Sequence, residues 1–241
     1  MKKVASTLSN DFSTNGHATL PGLFTPTQVA SVLACIEQTP AAGPSFRRSQ
    51  DVFAIRNLMG EVPALWPLLD TPALRDVLAE LFPRGCRLTK AIYFDKPAGS
   101  NWLVAWHQDL MINVRERADL PGFGPWTAKA GWVAVQPPAA VLENTVTLRL
   151  HLDDCDATNG ALRVVPGSHR LGVVPAETIA TYTEAAVMCA VPAGGAMLMR
   201  PLLLHASHRS TSPRPRRVVH LEFSAAELPA ELAWREGFAV E

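Results

Sequence analysis

The sequence carries no surplus of charge: Lys+Arg and Asp+Glu both number 22, so the formal net charge is zero. That removes the electrostatic case for nucleic acid or an anionic membrane as a partner. No apolar run approaches the length of a transmembrane helix. The start, Met1-Lys2-Lys3, turns polar through Ser6 to Asn15 and lacks the apolar stretch of a signal peptide. The four cysteines, Cys35, Cys86, Cys155 and Cys189, form no C-x-x-C and read as reduced, small hydrophobes. An H-x-H pair, which would suggest a cupin-type metal site, is also missing. These absences point to a soluble, cytoplasmic protein. What remains is 241 residues, 48% hydrophobic and 18% charged, a globular composition that can bury a sizeable core in one domain.

The first third is helix-bearing. Gly16 to Phe24 reads as a short strand entering a helix. Thr25-Pro26-Thr27-Gln28 then supplies an N-cap, a proline at N1 and a glutamine at N3. Val29, Val32, Leu33 and Ile36 follow on one helical face, with an end expected near Thr39-Pro40. Ala41 to Ser49 reads as a loop. Thr71-Pro72 opens a second helix with Leu74, Val77, Leu78 and Leu81 on one face, closed by Pro83-Arg84-Gly85.

From Cys86 the period changes to two. Leu88, Lys90, Ile92 and Phe94 alternate with Thr89, Ala91 and Tyr93. In Val146 to Leu152, Thr147, Arg149 and His151 share the face opposite the aliphatics. Further short strands are expected at Ala161 to Val165, Val187 to Val191, Ala196 to Arg200 and Arg217 to Phe223. Turn signals such as Asn159-Gly160 and Pro166-Gly167 separate them. The expected fold is α+β: a double-sheet jelly roll with the N-terminal helices packed on its outside. Asp119 to Val141, rich in proline and glycine and carrying Trp126 and Trp132, reads either as a loop over a site mouth or as a packed surface excursion.

His107-Gln108-Asp109 is the chemical focus. In a strand, residues i and i+2 face the same way, so this imidazole and carboxylate can converge. One neutral nitrogen and one anionic oxygen suit Fe(II), and a second histidine would complete a facial triad with open positions. Of the seven histidines, His205 has the most suggestive context, at the end of the apolar run Met197 to Leu204 and 205 − 107 = 98 residues from His107. Arg216, near the start of the next strand, could grip the far carboxylate of a dicarboxylate bidentately.

Four motifs in order carry a resemblance: His107-Gln108-Asp109, Asn159-Gly160-Ala161-Leu162, Pro166-Gly167-Ser168-His169, and His205-x-Ser207 with Arg216 eleven residues after His205. Together they resemble the phytanoyl-CoA dioxygenase family over roughly Leu88 to Phe223. The resemblance implies a double-stranded β-helix and an oxygenase using Fe(II), O₂ and 2-oxoglutarate, with release of succinate and CO₂. It implies iron on His107, Asp109 and His205, and the 2-oxoglutarate C5 carboxylate on Arg216 with Ser207. Arg149 would contact co-substrate or substrate. The family's frequent asparagine after H-x-S is replaced here by His208. Retention of Asp109, the ligand that halogenase relatives lose, favours hydroxylation or a related oxidation of a small molecule.

The remaining readings are these. His169 is a structural turn residue. His151 either lines the cavity or is structural, and His220 is packed or hydrogen-bonded. Lys90 is an edge-strand guard or a buried cation near a carboxylate. Arg209, Arg214 and Arg217 belong to a solvated turn, and Trp102 and Trp106 belong to the core. One domain is expected over 1–241, helical to about 86 and jelly roll from about 87 to 225. Two competing classes are a non-redox, cupin-like metabolite-binding jelly roll and a metal-dependent hydrolase or isomerase.

Overall fold

In the computed structural model, residues 12–49, 53–98, 100, 102–129 and 132–240 are described. The capping motif produces helix α1 (Pro26–Glu37). Gln28 N–H donates to Thr25 Oγ1 at 3.3 Å, and Thr25 N–H donates back to Gln28 Oε1 at 2.8 Å. Helix α2 (Pro72–Leu81) starts on Thr71, whose hydroxyl accepts from Leu74 N–H at 3.2 Å.

Among the described residues, fifteen strands follow one another along the chain. They are β1 (His17–Leu20), β2 (Phe46–Arg48), β3 (Phe53–Arg56), β4 (Cys86–Lys96), β5 (Val104–His107), β6 (Ile112–Val114), β7 (Trp126–Lys129) and β8 (Trp132–Val135), then β9 (Thr145–His151), β10 (Leu162–Val164), β11 (Val187–Cys189), β12 (Ala196–Met199), β13 (His205–Ser207), β14 (Arg216–Ser224) and β15 (Phe238–Val240). The large sheet runs β1-β12-β9-β14-β4-β3-β2, with β15 beside β4. The small sheet runs β11-β10-β13-β5, and β6-β8-β7 form a third. Every pairing is antiparallel. The large and small sheets face each other as a jelly roll. Met197 and Met199 of the large sheet pack with Leu162 and Val164 of the small one.

The helices cover the other face of the large sheet. Val32, Ile36, Leu74 and Leu78 share one apolar cluster with Leu148, Leu150, Leu198, Val219 and Leu221. Each such fully buried side chain contributes roughly 1.5–3 kcal/mol.

Three expectations change. Phe46–Arg48 is a strand, not loop, and with β1 and β3 it extends the large sheet from the N-terminal third. Asp119 to Val141 is not irregular throughout: it holds strands β7 and β8 and a helical turn, Ala139–Glu143. Leu88 does not share the face of Lys90, because the register skips Thr89: Glu222 pairs with Lys90 and Phe223 with Leu88. This bulge turns Leu88 into the helix-side core with Ala91 and Tyr93, leaving Lys90, Ile92 and Phe94 on the inner face.

Candidate metal centre

The pairing of β5 with β13 sets His205 directly opposite His107. The two rings lie 4.1 Å apart, centroid to centroid. Each Nδ1–H donates to the carbonyl two residues back, His107 to Ala105 at 2.8 Å and His205 to Leu203 at 2.9 Å. A carbonyl only accepts, so each Nδ1 carries a proton and Nε2 is the ring atom left to face a metal.

Asp109 does not continue the strand as expected, for β5 stops at His107. Instead its own N–H donates to Pro201 O at 2.9 Å and fixes the turn. Gln108 points the other way: its amide donates to Leu202 O at 2.6 Å and Gly172 O at 2.8 Å, and accepts from Val174 N–H at 2.8 Å. The Asp109 carboxylate therefore lies between the rings, with Oδ1 3.7 Å from His107 Nε2 and Oδ2 3.7 Å from His205 Nε2. One donor atom from each of the three lies within 4.8 Å of the others. Donors about 2.1 Å from a shared ion and at right angles would be about 3.0 Å apart, so a small contraction suffices.

Burial pushes the His205 imidazole down to about 4, against an opposing pull from Asp109, so the ring is neutral at neutral pH. Burial also acts to raise the Asp109 carboxyl. His205, His220, His107 and Lys90 outweigh it and hold the group below the usual carboxylate range. Two imidazole nitrogens and a carboxylate oxygen form a donor set that suits a divalent ion.

Beside this cluster, the inner face of the large sheet presents Arg149, His151 and Arg216, each at most 7% exposed. Arg216 donates to Gly160 O. Gly160 sits at φ +82°, and a Cβ there would meet His208 O at 2.7 Å and the buried Lys96 Nζ at 2.8 Å, so this turn requires glycine. Neither Arg149 nor Arg216 has a carboxylate in hydrogen-bonding contact among the described residues. Burial, then repulsion from Arg216, brings Arg149 down to about 10. Burial also lowers Arg216. Arg149 Nε, Arg216 Nε, Ser207 Oγ and both His151 ring nitrogens are buried without a hydrogen-bond partner. Unpaired buried guanidinium groups are costly unless an anion joins them, so the residues present fit a bound carboxylate.

The sequence matches the phytanoyl-CoA dioxygenase family over residues 12–218. The chain belongs to that family. No curated protein matches it. Among solved structures it resembles the epimerase SnoN in complex with Fe3+, alpha ketoglutarate and nogalamycin RO (TM-score 0.70, 16% identity, 98% of this chain and 88% of that one). It also resembles apo EctD from S. alaskensis (TM-score 0.70, 20% identity, 93% and 77%). A third likeness is HygX from Streptomyces hygroscopicus with nickel and 2-oxoglutarate bound (TM-score 0.65, 18% identity, 95% and 93%). At these identities the likeness is one of fold.

In this phytanoyl-CoA dioxygenase family member, Lys90 is the buried cation of the second expectation: its Nζ lies 2.7 Å from Glu222 Oε1 and 2.8 Å from Met111 O. His220 joins them. Arg149 donates to His220 Nδ1 at 3.0 Å, and His220 Nε2–H donates to Glu222 at 3.1 Å. His208 lies off the cluster, against Arg163 at 3.1 Å. His169 packs on Gly16, away from the triad. Trp106 packs against a buried apolar cluster, and Trp102 leans on Phe94. Arg217 is bound to Asp153 and Arg214 to Asp156 rather than solvated alone. No helix among the described residues is long and apolar enough to cross a membrane.

Sequence reasoning missed Gln108, Glu222 and Arg56. Glu222 carried a signal: two places beyond His220 on one strand, it faces the same way. Arg56 carried none before β3 was known to pair with β4. Asp109, Lys90, His220, Glu222 and Arg56 all line one cavity of about 260 Å³.

Proposed function

We propose that this chain is an Fe(II)- and 2-oxoglutarate-dependent dioxygenase that hydroxylates or otherwise oxidises a small molecule in the cytoplasm, consuming O₂ and releasing succinate and CO₂. The observation that carries the reading is the juxtaposition of a two-histidine, one-carboxylate donor set with two buried arginines that lack a carboxylate partner. His107, Asp109 and His205 would hold the iron. Arg216, with Ser207, would receive the C5 carboxylate of 2-oxoglutarate, and Arg149 would contact the co-substrate from the neighbouring strand. When bound, iron and the 2-oxo acid supply the O₂-activating, oxidising chemistry.

The chain's own residues orient and isolate that chemistry. The Ala105 and Leu203 carbonyls hold both imidazoles with Nε2 inward. Gln108 fixes the turn that aims Asp109. His220, fixed by Arg149 on one side and Glu222 on the other, keeps its proton on Nε2. Residues 1–241 act as one oxygenase domain, helical to about 86 and jelly roll from about 87 to 225, with β1, β2 and β3 joining the large sheet across that division.

The competing classes, a non-redox metabolite-binding jelly roll and a metal-dependent hydrolase or isomerase, would not need this donor set together with two buried arginines that lack a carboxylate partner. The test is succinate formation from 2-oxoglutarate by purified, anaerobically reconstituted protein exposed to air. Formation should require Fe(II) and fall to background in Asp109→Ala, which removes the anionic ligand. Near-wild-type turnover in that variant would contradict the reading.

A further inference from the structure

The cavity of about 260 Å³ has Asp109 in its wall, so whatever fills it reaches the candidate metal centre. By volume it holds on the order of nine waters, which suits a body of roughly ten non-hydrogen atoms. Its apolar surface comes from Ile92, Phe94, Met111 and Trp132.

The charges in its wall are unevenly matched. Lys90 and Glu222 neutralise each other at 2.7 Å, and Glu222 also accepts from His220 at 3.1 Å. Asp109 faces the two ligand histidines. That leaves Arg56. On β3 it pairs with Ile92 of β4, and cross-strand partners share a face, so its side chain lies on the cavity side of the sheet. Among the described residues no carboxylate pairs with its guanidinium, although it is only part-exposed. Arg56 is thus the cation of this wall that has no anion in hydrogen-bonding contact among the described residues. A carboxylate in the cavity would find there a guanidinium with a free fork, while an ammonium beside Arg56 would meet a like charge.

We propose that this cavity takes a small organic acid without a free amine, its carboxylate on Arg56 and its apolar body against Phe94 and Trp132. The inference rests on the oxygenase reading only for calling that acid the substrate; the binding itself needs no metal. Its test is a titration of tryptophan fluorescence, which Trp132 reports from the cavity wall, using three probes of similar size: N-acetyl-leucine, N-acetyl-leucinamide and leucine. Wild-type protein should bind the N-acetyl acid at least tenfold more tightly than the amide or the free amino acid. Arg56→Gln should erase that preference and Arg56→Lys should keep part of it, which separates loss of charge from loss of fold. Wild-type protein stripped of metal by a chelator should retain it. Equal or absent binding of all three probes overturns the proposal. So does a preference that survives Arg56→Gln but vanishes in the metal-free protein, since the acid would then be reading the metal. If succinate formation fails but the Arg56-dependent preference holds, the oxygenase reading falls and the acid-binding cavity stands.

Discussion

Gln108 sits between two candidate ligands yet reaches no metal position; its three hydrogen bonds run to Gly172, Leu202 and Val174. It is 7% exposed, so these bonds form in a largely dry environment. Gln108→Ala leaves the Gly172 and Leu202 carbonyls and the Val174 N–H without that partner, at about 1–3 kcal/mol for each group left unsatisfied. The turn carrying Asp109 loosens with it. The expected outcome is a fall in iron affinity of about 10–100-fold, the usual cost of losing an outer-shell partner, with all three donors still present. Competition for Fe(II) against a calibrated chelator checks this; unchanged affinity would show that the Pro201 contact alone holds Asp109. The candidate donors His107 and Asp109 were legible in the sequence, because His-x-Asp is a local pattern. The manner of holding them was not. Nothing in His107-Gln108-Asp109 announces that the strand ends after its first residue.

Strand β4 shows how one element serves two faces. The bulge at Thr89 hands Leu88 to the helix-side core and keeps Lys90 inside the barrel, where Glu222 meets it across the pair. Both side chains are nearly dry, at 11% and 7% exposed. Removing one partner strands the other, so Lys90→Met should cost about 3–5 kcal/mol in denaturant unfolding, and Lys90→Met with Glu222→Leu should recover much of it. A double variant no better than the single one would place the cost in packing instead. A bulge is hard to see in sequence because alternation reads equally well on either side of it. Strands β2 and β3 escaped notice for a related reason: three or four residues give too few periods, and β-structure there depends on partners far along the chain. The β7–β8 hairpin puts Thr127 and Trp132 in the cavity wall. If it closes over bound ligands, protease should cut between residues 119 and 141 more slowly with Fe(II) and 2-oxoglutarate present than without; equal rates would make it a fixed wall.

Across the molecule, burial is used in opposite ways on the two faces of the large sheet. The helix side is apolar and was readable from period and capping. The inner side gathers titratable groups whose partners lie on other strands, and only the assembled sheet shows them. Glu236 illustrates the cost. Burial raises its carboxyl to about 7, offset only in part by the Ala91 N–H and Arg235. The folded protein then holds that proton above the pH at which the unfolded chain releases it. Stability from this group is full below about pH 4.5 and is lost as pH rises through about 7. Unfolding midpoints from pH 4.5 to 7.5 should show this decline in wild type and a flatter profile in Glu236→Gln; parallel profiles would remove Glu236 as the cause.

The central claim is that one centre, built on His107, Asp109 and His205, binds Fe(II) and 2-oxoglutarate together. An anaerobic UV–visible titration with both measures it most directly, since the weak charge-transfer band in the green region needs the 2-oxo acid chelated to iron. The account predicts the band in wild type and in His208→Ala, whose ring lies against Arg163, and its absence in His205→Ala. No band in wild type, or a band that survives His205→Ala and disappears in His208→Ala, would contradict it.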